Sequence, residues 1–133
     1  MDVTHGRGYV YSIQYHIVWC VKYRHEIINN EIENRLKEIL TKISYYEEFQ
    51  IIEYNTDKDH VHLLINCSPH HYIPNIIQKL KGTSSRYLMN EFRNELKTKL
   101  WGGNIWNPSY FIATVSENTE QQIKQYIKNQ KRR

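Results

Sequence analysis

From Val10 to Val21 the chain alternates. Tyr11, Ile13, Tyr15, Ile17, Trp19 and Val21 lie on one side, and Ser12, Gln14, His16 and Cys20 on the other. A period of two held this long describes a strand with one buried face, which needs partner strands and a cover for its apolar side. The next segments supply both. Asn30-Glu31-Ile32-Glu33 reads as a helix N-cap with a carboxylate three residues on, and Ile32, Leu36, Ile39, Leu40 and Ile43 follow at helical spacing to about Ser44. Gln50–Tyr54 is a second strand, and Asn55 to Asp59 carries turn chemistry. His60–Asn66 is a third strand, forming a hairpin with the second. A second helix opens at Ile73-Pro74 and runs through Phe92, with Gly82 a weak point inside it. Trp101-Gly102-Gly103-Asn104 is a loop and Ser109–Val115 a fourth strand. Thr119-Glu120-Gln121-Gln122 is a second capping-box pattern, opening a helix through Gln130.

The order β-α-β-β-α-β-α over 133 residues is one α+β domain, residues 1–133. Short connections and the right-handed crossover rule favour a ferredoxin-like split βαβ fold: a four-stranded antiparallel sheet with the first two helices on one face. The first and third strands are then central. Val61, Leu63 and Ile65 face the helices, and His60, His62 and Leu64 face the side left for the last helix or a ligand.

Charge is unevenly placed. Residues 1–78 hold 7 Lys+Arg and 10 Asp+Glu, while residues 79–133 hold 11 Lys+Arg and 4 Glu. A basic second half suits either a polyanion partner, nucleic acid first, or a solubilising surface. Eleven tyrosines add rings that can stack on bases. No apolar run approaches the roughly 20 residues that cross a bilayer, so no membrane association is expected. The first residues lack the basic start and apolar stretch of a signal peptide. Two cysteines, Cys20 and Cys67, are too few for a disulfide scaffold, and a reduced, cytoplasmic protein is expected. No Walker A loop, dinucleotide fingerprint or nucleophile elbow is present, so no nucleotide cofactor is expected.

Asp59-His60-Val61-His62 is the sharpest local signal. Residues two apart on a strand project from one face about 7 Å apart, so two imidazoles can converge on one ion; two polar residues on a solvated face is the plainer reading. His16 is a candidate neighbour of that pair. On the last helix Tyr126 and Gln130 are four apart and share a face, where Tyr126 either presents its hydroxyl or extends the apolar stripe of Ile123 and Ile127. On the second helix Lys79, Arg86 and Arg93 recur every seven residues, and Lys81-Gly82-Thr83-Ser84-Ser85-Arg86 sets cations and hydroxyls around a glycine.

Together these segments resemble the single-tyrosine HUH transposases, the small TnpA enzymes of insertion sequences that move as single-stranded DNA. The resemblance is carried by Tyr15-His16-Ile17-Val18-Trp19-Cys20-Val21-Lys22-Tyr23-Arg24, Thr56-Asp57-Lys58-Asp59-His60-Val61-His62-Leu63-Leu64 and Leu80-Lys81-Gly82-Thr83-Ser84-Ser85-Arg86. Asn107-Pro108-Ser109-Tyr110-Phe111 and Ile123-Lys124-Gln125-Tyr126-Ile127-Lys128-Asn129-Gln130 complete it, in the family's order and across almost the whole chain.

The resemblance implies that His60, His62 and Gln130 hold Mg2+ or Mn2+. It implies that Tyr126 attacks a DNA phosphate to leave a 5′-phosphotyrosine and a free 3′-OH. By the same analogy Lys81, Ser84, Ser85, Arg86, Lys22 and Arg24 contact DNA. The partners implied are single-stranded DNA with hairpins and a second copy of the chain, in a homodimer with exchanged C-terminal helices. Two imidazoles and an amide form a softer donor set than Mg2+ prefers, so Mn2+ is expected to serve better. The alternatives are a related domesticated enzyme acting on repeated palindromes and a non-catalytic single-strand-binding module on the same scaffold. Such modules carry paired aromatics on the open sheet face, where this chain carries histidines.

Overall fold

The computed structural model describes residues 4–6, 9–100, 102–115 and 118–130. Trp101 of the expected loop and the basic residues 131–133 lie outside them. In chain order the elements are β1 (Thr4–Gly6), β2 (Tyr9–Tyr11), β3 (Ile13–Cys20), a 3-10 turn (Lys22–Arg24), α1 (Asn30–Glu47), β4 (Gln50–Asp57) and β5 (His60–Cys67). They continue with α2 (Ile73–Glu91), the short α3 (Arg93–Leu96), β6 (Phe111–Thr114) and α4 (Thr119–Lys128).

The main sheet has the order β4-β5-β3-β6 with every pair antiparallel. This is the expected ferredoxin-like α+β sheet, with β3 and β5, the first and third strands of the sequence reading, at its centre. The long alternating segment differs from expectation at its start. β2 pairs with β1 in a separate two-stranded sheet, and the chain breaks at Ser12 before β3. The hairpin also differs: β4 continues through Asn55 and Thr56 to Asp57, leaving only Lys58-Asp59 as the turn. Cross-strand pairing with His60–His62 outweighs the turn preference of those side chains. A bulge between Ile51 and Glu53 absorbs the register shift.

α1 begins one residue before the sequence pattern suggests. Its cap is Asn29, whose side chain accepts from the Ile32 N–H at 2.8 Å. Glu33, expected to complete a capping box, instead accepts from the Thr56 hydroxyl on β4. The box expected at Thr119 does not form either. The cap position is Asn118 with no side-chain bond, and the Thr119 hydroxyl turns to the Thr114 carbonyl at 3.4 Å. α4 ends at Lys128, two residues short of expectation.

Between the sheet and α1/α2 lies the core. Ile17, Trp19, Val21, Val61, Leu63 and Ile65 meet Leu36, Leu40, Ile77, Leu80 and Leu88 there. Trp106 closes one end, edge-on to Trp19 with ring centroids 5.8 Å apart. Its indole N–H donates to Ser84 Oγ at 2.9 Å inside α2, and both residues are buried. Ser85 Oγ accepts from the Ile105 N–H at 3.0 Å and donates to Asn104 Oδ1. The two serines expected to contact DNA are thus buried, and their hydroxyls dock the 104–106 loop onto α2. A buried indole N–H without a partner costs about 1–3 kcal/mol. Ser84→Ala is therefore expected to lower unfolding free energy by about that amount, read as an earlier urea midpoint at unchanged m-value.

Candidate active site

The face opposite α1 and α2 is set by register. Cys20 pairs with His60, Val18 with His62 and His16 with Leu64. Phe111 pairs with Val18, and Asn55 with His62. Residues opposite each other across a ladder share a face, so His16, His60 and His62 sit on one surface beside Phe111. α4 lies over this same surface. Its Ile123 is buried, its Tyr126 ring lies 5.9 Å from that of Phe111, and its Glu120 is felt electrostatically by both His16 and His62.

The histidines are individually held. His60 Nδ1 is 2.9 Å from Asp59 Oδ1, and Arg24 Nε donates to Asp59 Oδ2 at 3.1 Å. Asp59 is buried, and its carboxyl stays below the usual carboxylate range: burial works against this, but the bond from His60 and the charge of Arg24 prevail. A carboxylate on Nδ1 fixes the ring and leaves Nε2 as the open nitrogen, the usual support of a metal-binding histidine. His62 Nε2 is 2.8 Å from His16 Nδ1. The expected proximity of His16 is therefore direct contact. Arg24, expected on DNA, is instead an ion-pair partner whose side chain is only 15% exposed. Its place comes from the 3-10 turn, where Tyr23 and Arg24 both adopt left-handed backbone, φ 57° and 54°.

Tyr126 and Gln130 meet on a third residue. Ser109 Oγ lies 2.9 Å from the Tyr126 hydroxyl and donates to Gln130 Oε1 at 3.3 Å. Asn107 Oδ1 accepts from the Ser109 N–H at 2.9 Å and lies 3.0 Å from its hydroxyl. Lys81 Nζ reaches across from α2 to donate to the Asn107 and Ser109 carbonyls at 2.7 and 2.9 Å. Burial lowers the Lys81 ammonium to about 8, leaving it mostly charged at neutral pH. Lys81, expected on DNA, thus tethers the loop that holds Tyr126. In the sequence Ser109 opens the expected fourth strand, which here begins only at Phe111, and its contact with the phenol was not legible there. Burial raises the Tyr126 phenol above its ordinary 10, and the Ser109 bond works the other way. Burial also pushes the Cys20 thiol up to about 11, which leaves it inert at neutral pH.

Among the described residues no three of His, Cys, Asp and Glu cluster as a metal site. The donor chemistry nevertheless fits a divalent cation. His60 offers Nε2 as it stands, and His62 offers the same atom once it exchanges His16 for the ion. Gln130, two residues past the end of α4, would add an amide oxygen once released from Ser109.

The site is thus a sheet face bearing three histidines beneath a tyrosine-bearing helix, and the proteins this chain resembles are transposases. The family model described as "Transposase IS200 like" matches residues 9–130. The chain is 47% identical over 130 residues to the ISDra2 transposase TnpA of Deinococcus radiodurans, spanning 98% of this chain and 92% of that one. It is 32% identical over 120 residues to the transposase for insertion sequence element IS200 of Salmonella typhimurium, spanning 90% and 78%. A transposase crystal structure from Deinococcus radiodurans superposes with a TM-score of 0.91 at 44% identity, over 98% of this chain and 99% of that one. The fold also matches a REP-associated tyrosine transposase bound to a REP hairpin, with a TM-score of 0.59 at 13% identity, over 93% and 68%. The chain belongs to the IS200-like transposase family.

The pH behaviour of the site follows from its burial. His16 and His62 are both held below the ordinary 6.5; burial dominates in each, opposed by Glu53 and Glu120, and for His62 reinforced by His16. Where the folded value lies below the unfolded one, the unfolded chain binds more protons between the two. Stability from this pair is thus complete above about 6.5 and falls as pH drops below it. Melting temperature is expected to fall between pH 7 and pH 5, and His16→Gln to weaken that dependence.

Proposed function

We propose that this transposase cuts and rejoins single-stranded DNA at hairpin-marked element ends, with Tyr126 as nucleophile. The observation that supports the reading best is the meeting of Tyr126 of α4 and Gln130 just beyond it on Ser109, with α4 laid over the face that bears His60 and His62. In the reaction the phenolic oxygen of Tyr126 bonds to a backbone phosphorus as the bond from phosphorus to the 3′ oxygen breaks. The phenol gives up its proton and the departing 3′ oxygen takes one, leaving a 5′-phosphotyrosine and a free 3′-OH. A 3′-OH can later attack that ester, expel the tyrosine and rejoin strands, and the stored ester makes ATP unnecessary.

The protein's own groups prepare this step. Ser109, fixed by Asn107 and by the Lys81-tethered carbonyls, positions the phenolic oxygen. Asp59 keeps the His60 ring in one orientation. His60, His62 and Gln130 would hold a divalent cation, which when bound polarises phosphoryl oxygens and offsets charge developing on them. The subunit arrangement in this reading is the homodimer with exchanged C-terminal helices, in which Tyr126 of one copy serves the histidines of the other.

Incubation with a labelled single-stranded hairpin oligonucleotide and a divalent cation is expected to yield a denaturant-resistant protein–DNA adduct. Tyr126→Phe keeps hairpin binding and loses the adduct, whereas nicking at an unchanged rate in that variant would remove Tyr126 from the mechanism. Adduct yield is expected to be higher with Mn2+ than with Mg2+. Exchange of α4 has its own readout. A mixture of Tyr126→Phe subunits with subunits carrying His60→Ala and His62→Ala regains adduct formation if the site is shared between copies. It stays inactive if each copy works alone.

A further inference from the structure

Of the six side chains first assigned to DNA, four are engaged within the protein: Ser84, Ser85, Lys81 and Arg24. Lys79 of the heptad-spaced line is engaged too, by Glu47. Elsewhere, a half-buried Lys22 and the exposed Arg86, Arg93, Lys97 and Lys99 line two adjoining grooves of about 810 and 600 Å3 that share Leu100 and Gly102. The first presents Arg86, Arg93 and Lys97; the second presents Lys22 and Lys99. No Asp or Glu is among the described residues lining either groove.

Two further features suit this surface to an unpaired strand. The second groove is lined by Tyr23 and His25, whose rings stand edge-on with centroids 6.2 Å apart, and Tyr23 is 36% exposed. Exposed rings beside a line of cations are the usual platform for unpaired bases. The junction is walled by Gly102, with Gly103 beside it in the first groove. Both have positive φ, 79° and 75°, and open space where a Cβ would stand. Backbone without side chains lets a phosphate come close.

We propose that these grooves form one track for an unpaired stretch of nucleic acid, its phosphates running past Arg86, Arg93, Lys97, Lys99 and Lys22 and a base stacking at Tyr23 and His25. The track lies outside the His60–Tyr126 centre and holds the strand without cleavage. The inference rests on the reading that the substrate is single-stranded, yet it is tested without catalysis.

The test uses Tyr126→Phe protein in EDTA, with a fluorescent oligothymidine of about twelve nucleotides followed by anisotropy. Neutralising five phosphates of a single strand gives a log–log salt slope of about −3.5, so affinity falls about a hundredfold between roughly 50 and 200 mM salt. Arg93→Glu with Lys97→Glu is expected to weaken binding tenfold or more at low salt and to flatten the slope toward about −2. Lys22→Glu with Lys99→Glu, at the other end of the track, does the same and gives an independent reading should the first pair fail to fold. Lys37→Glu, on α1 away from both grooves, changes affinity by less than about twofold. Tyr23→Leu weakens the oligothymidine and leaves a blunt duplex of equal length unaffected. Charge reversals that leave affinity within twofold overturn the track, and equal binding of the blunt duplex and the single strand overturns its assignment to unpaired nucleotides. Loss of adduct formation in Tyr126-containing protein, with oligothymidine binding intact, would count against the cleavage reading alone.

Discussion

Register between β3 and β5 is the constraint on which the rest of this molecule depends. Strand side chains alternate strictly, so a slip of one residue would exchange the two faces of either strand. In the observed register Ile17, Trp19 and Val21 share the helix-facing side with Val61, Leu63 and Ile65, all fully buried. The same register delivers His16, His60 and His62 to the other side. The hydrophobic requirement is by far the more demanding: turning six such side chains toward water forfeits roughly 1.5–3 kcal/mol each. The opposite face, where Val18 and Cys20 are also buried, is assembled by the same register. Its histidines are carried into place by the packing of residues on the reverse of the same strands.

The link between that sheet and Tyr126 runs through α2. Small serines at 84 and 85 let the 104–106 loop come against the helix and supply oxygen to the Trp106 indole and the Ile105 amide. One turn earlier Lys81 takes up the carbonyls of Asn107 and Ser109. Helix and loop are therefore braced against each other, and Ser109 lies in that loop just before β6. The phenol of Tyr126 thus meets a hydroxyl tied to Asn107 and, through its own carbonyl, to Lys81, the kind of positioning the proposed reaction requires.

Much of this was legible in the sequence, for physical reasons that also mark where reading stops. Alternation in β3 and β5 and the apolar stripes of α1 and α2 report burial directly, so the facing of Val61 and His62 was legible once connection rules had placed the first and third strands at the centre. The strand through Asn55–Asp57 did not, because turn-forming side chains were overruled by pairing with His60–His62. The capping boxes failed where Glu33 found Thr56, a tertiary partner invisible to a local pattern, and where Thr119 turned back to the Thr114 carbonyl five residues earlier. Lys81 and Arg24 look alike as surface cations in sequence, and only packing reveals that both are engaged within the fold. Ser109 carried no signal beyond its place beside a tyrosine.

Arg24 shows how far such engagement reaches. Two successive non-glycine residues in left-handed backbone cost on the order of 1–3 kcal/mol each, and the 3-10 turn accepts this at Tyr23 and Arg24. A buried carboxylate left without its cation is a larger penalty, of about 3–5 kcal/mol when one partner of such a pair is removed. The ion pair with Asp59 is thus of the right size to hold the turn in its strained form. Asp59 in turn has one oxygen on Arg24 and the other on His60. Tyr23, on the strained side, lines the basic groove, while His60 lies on the sheet face. A single carboxylate therefore touches both the turn that forms the groove wall and the imidazole on the sheet face.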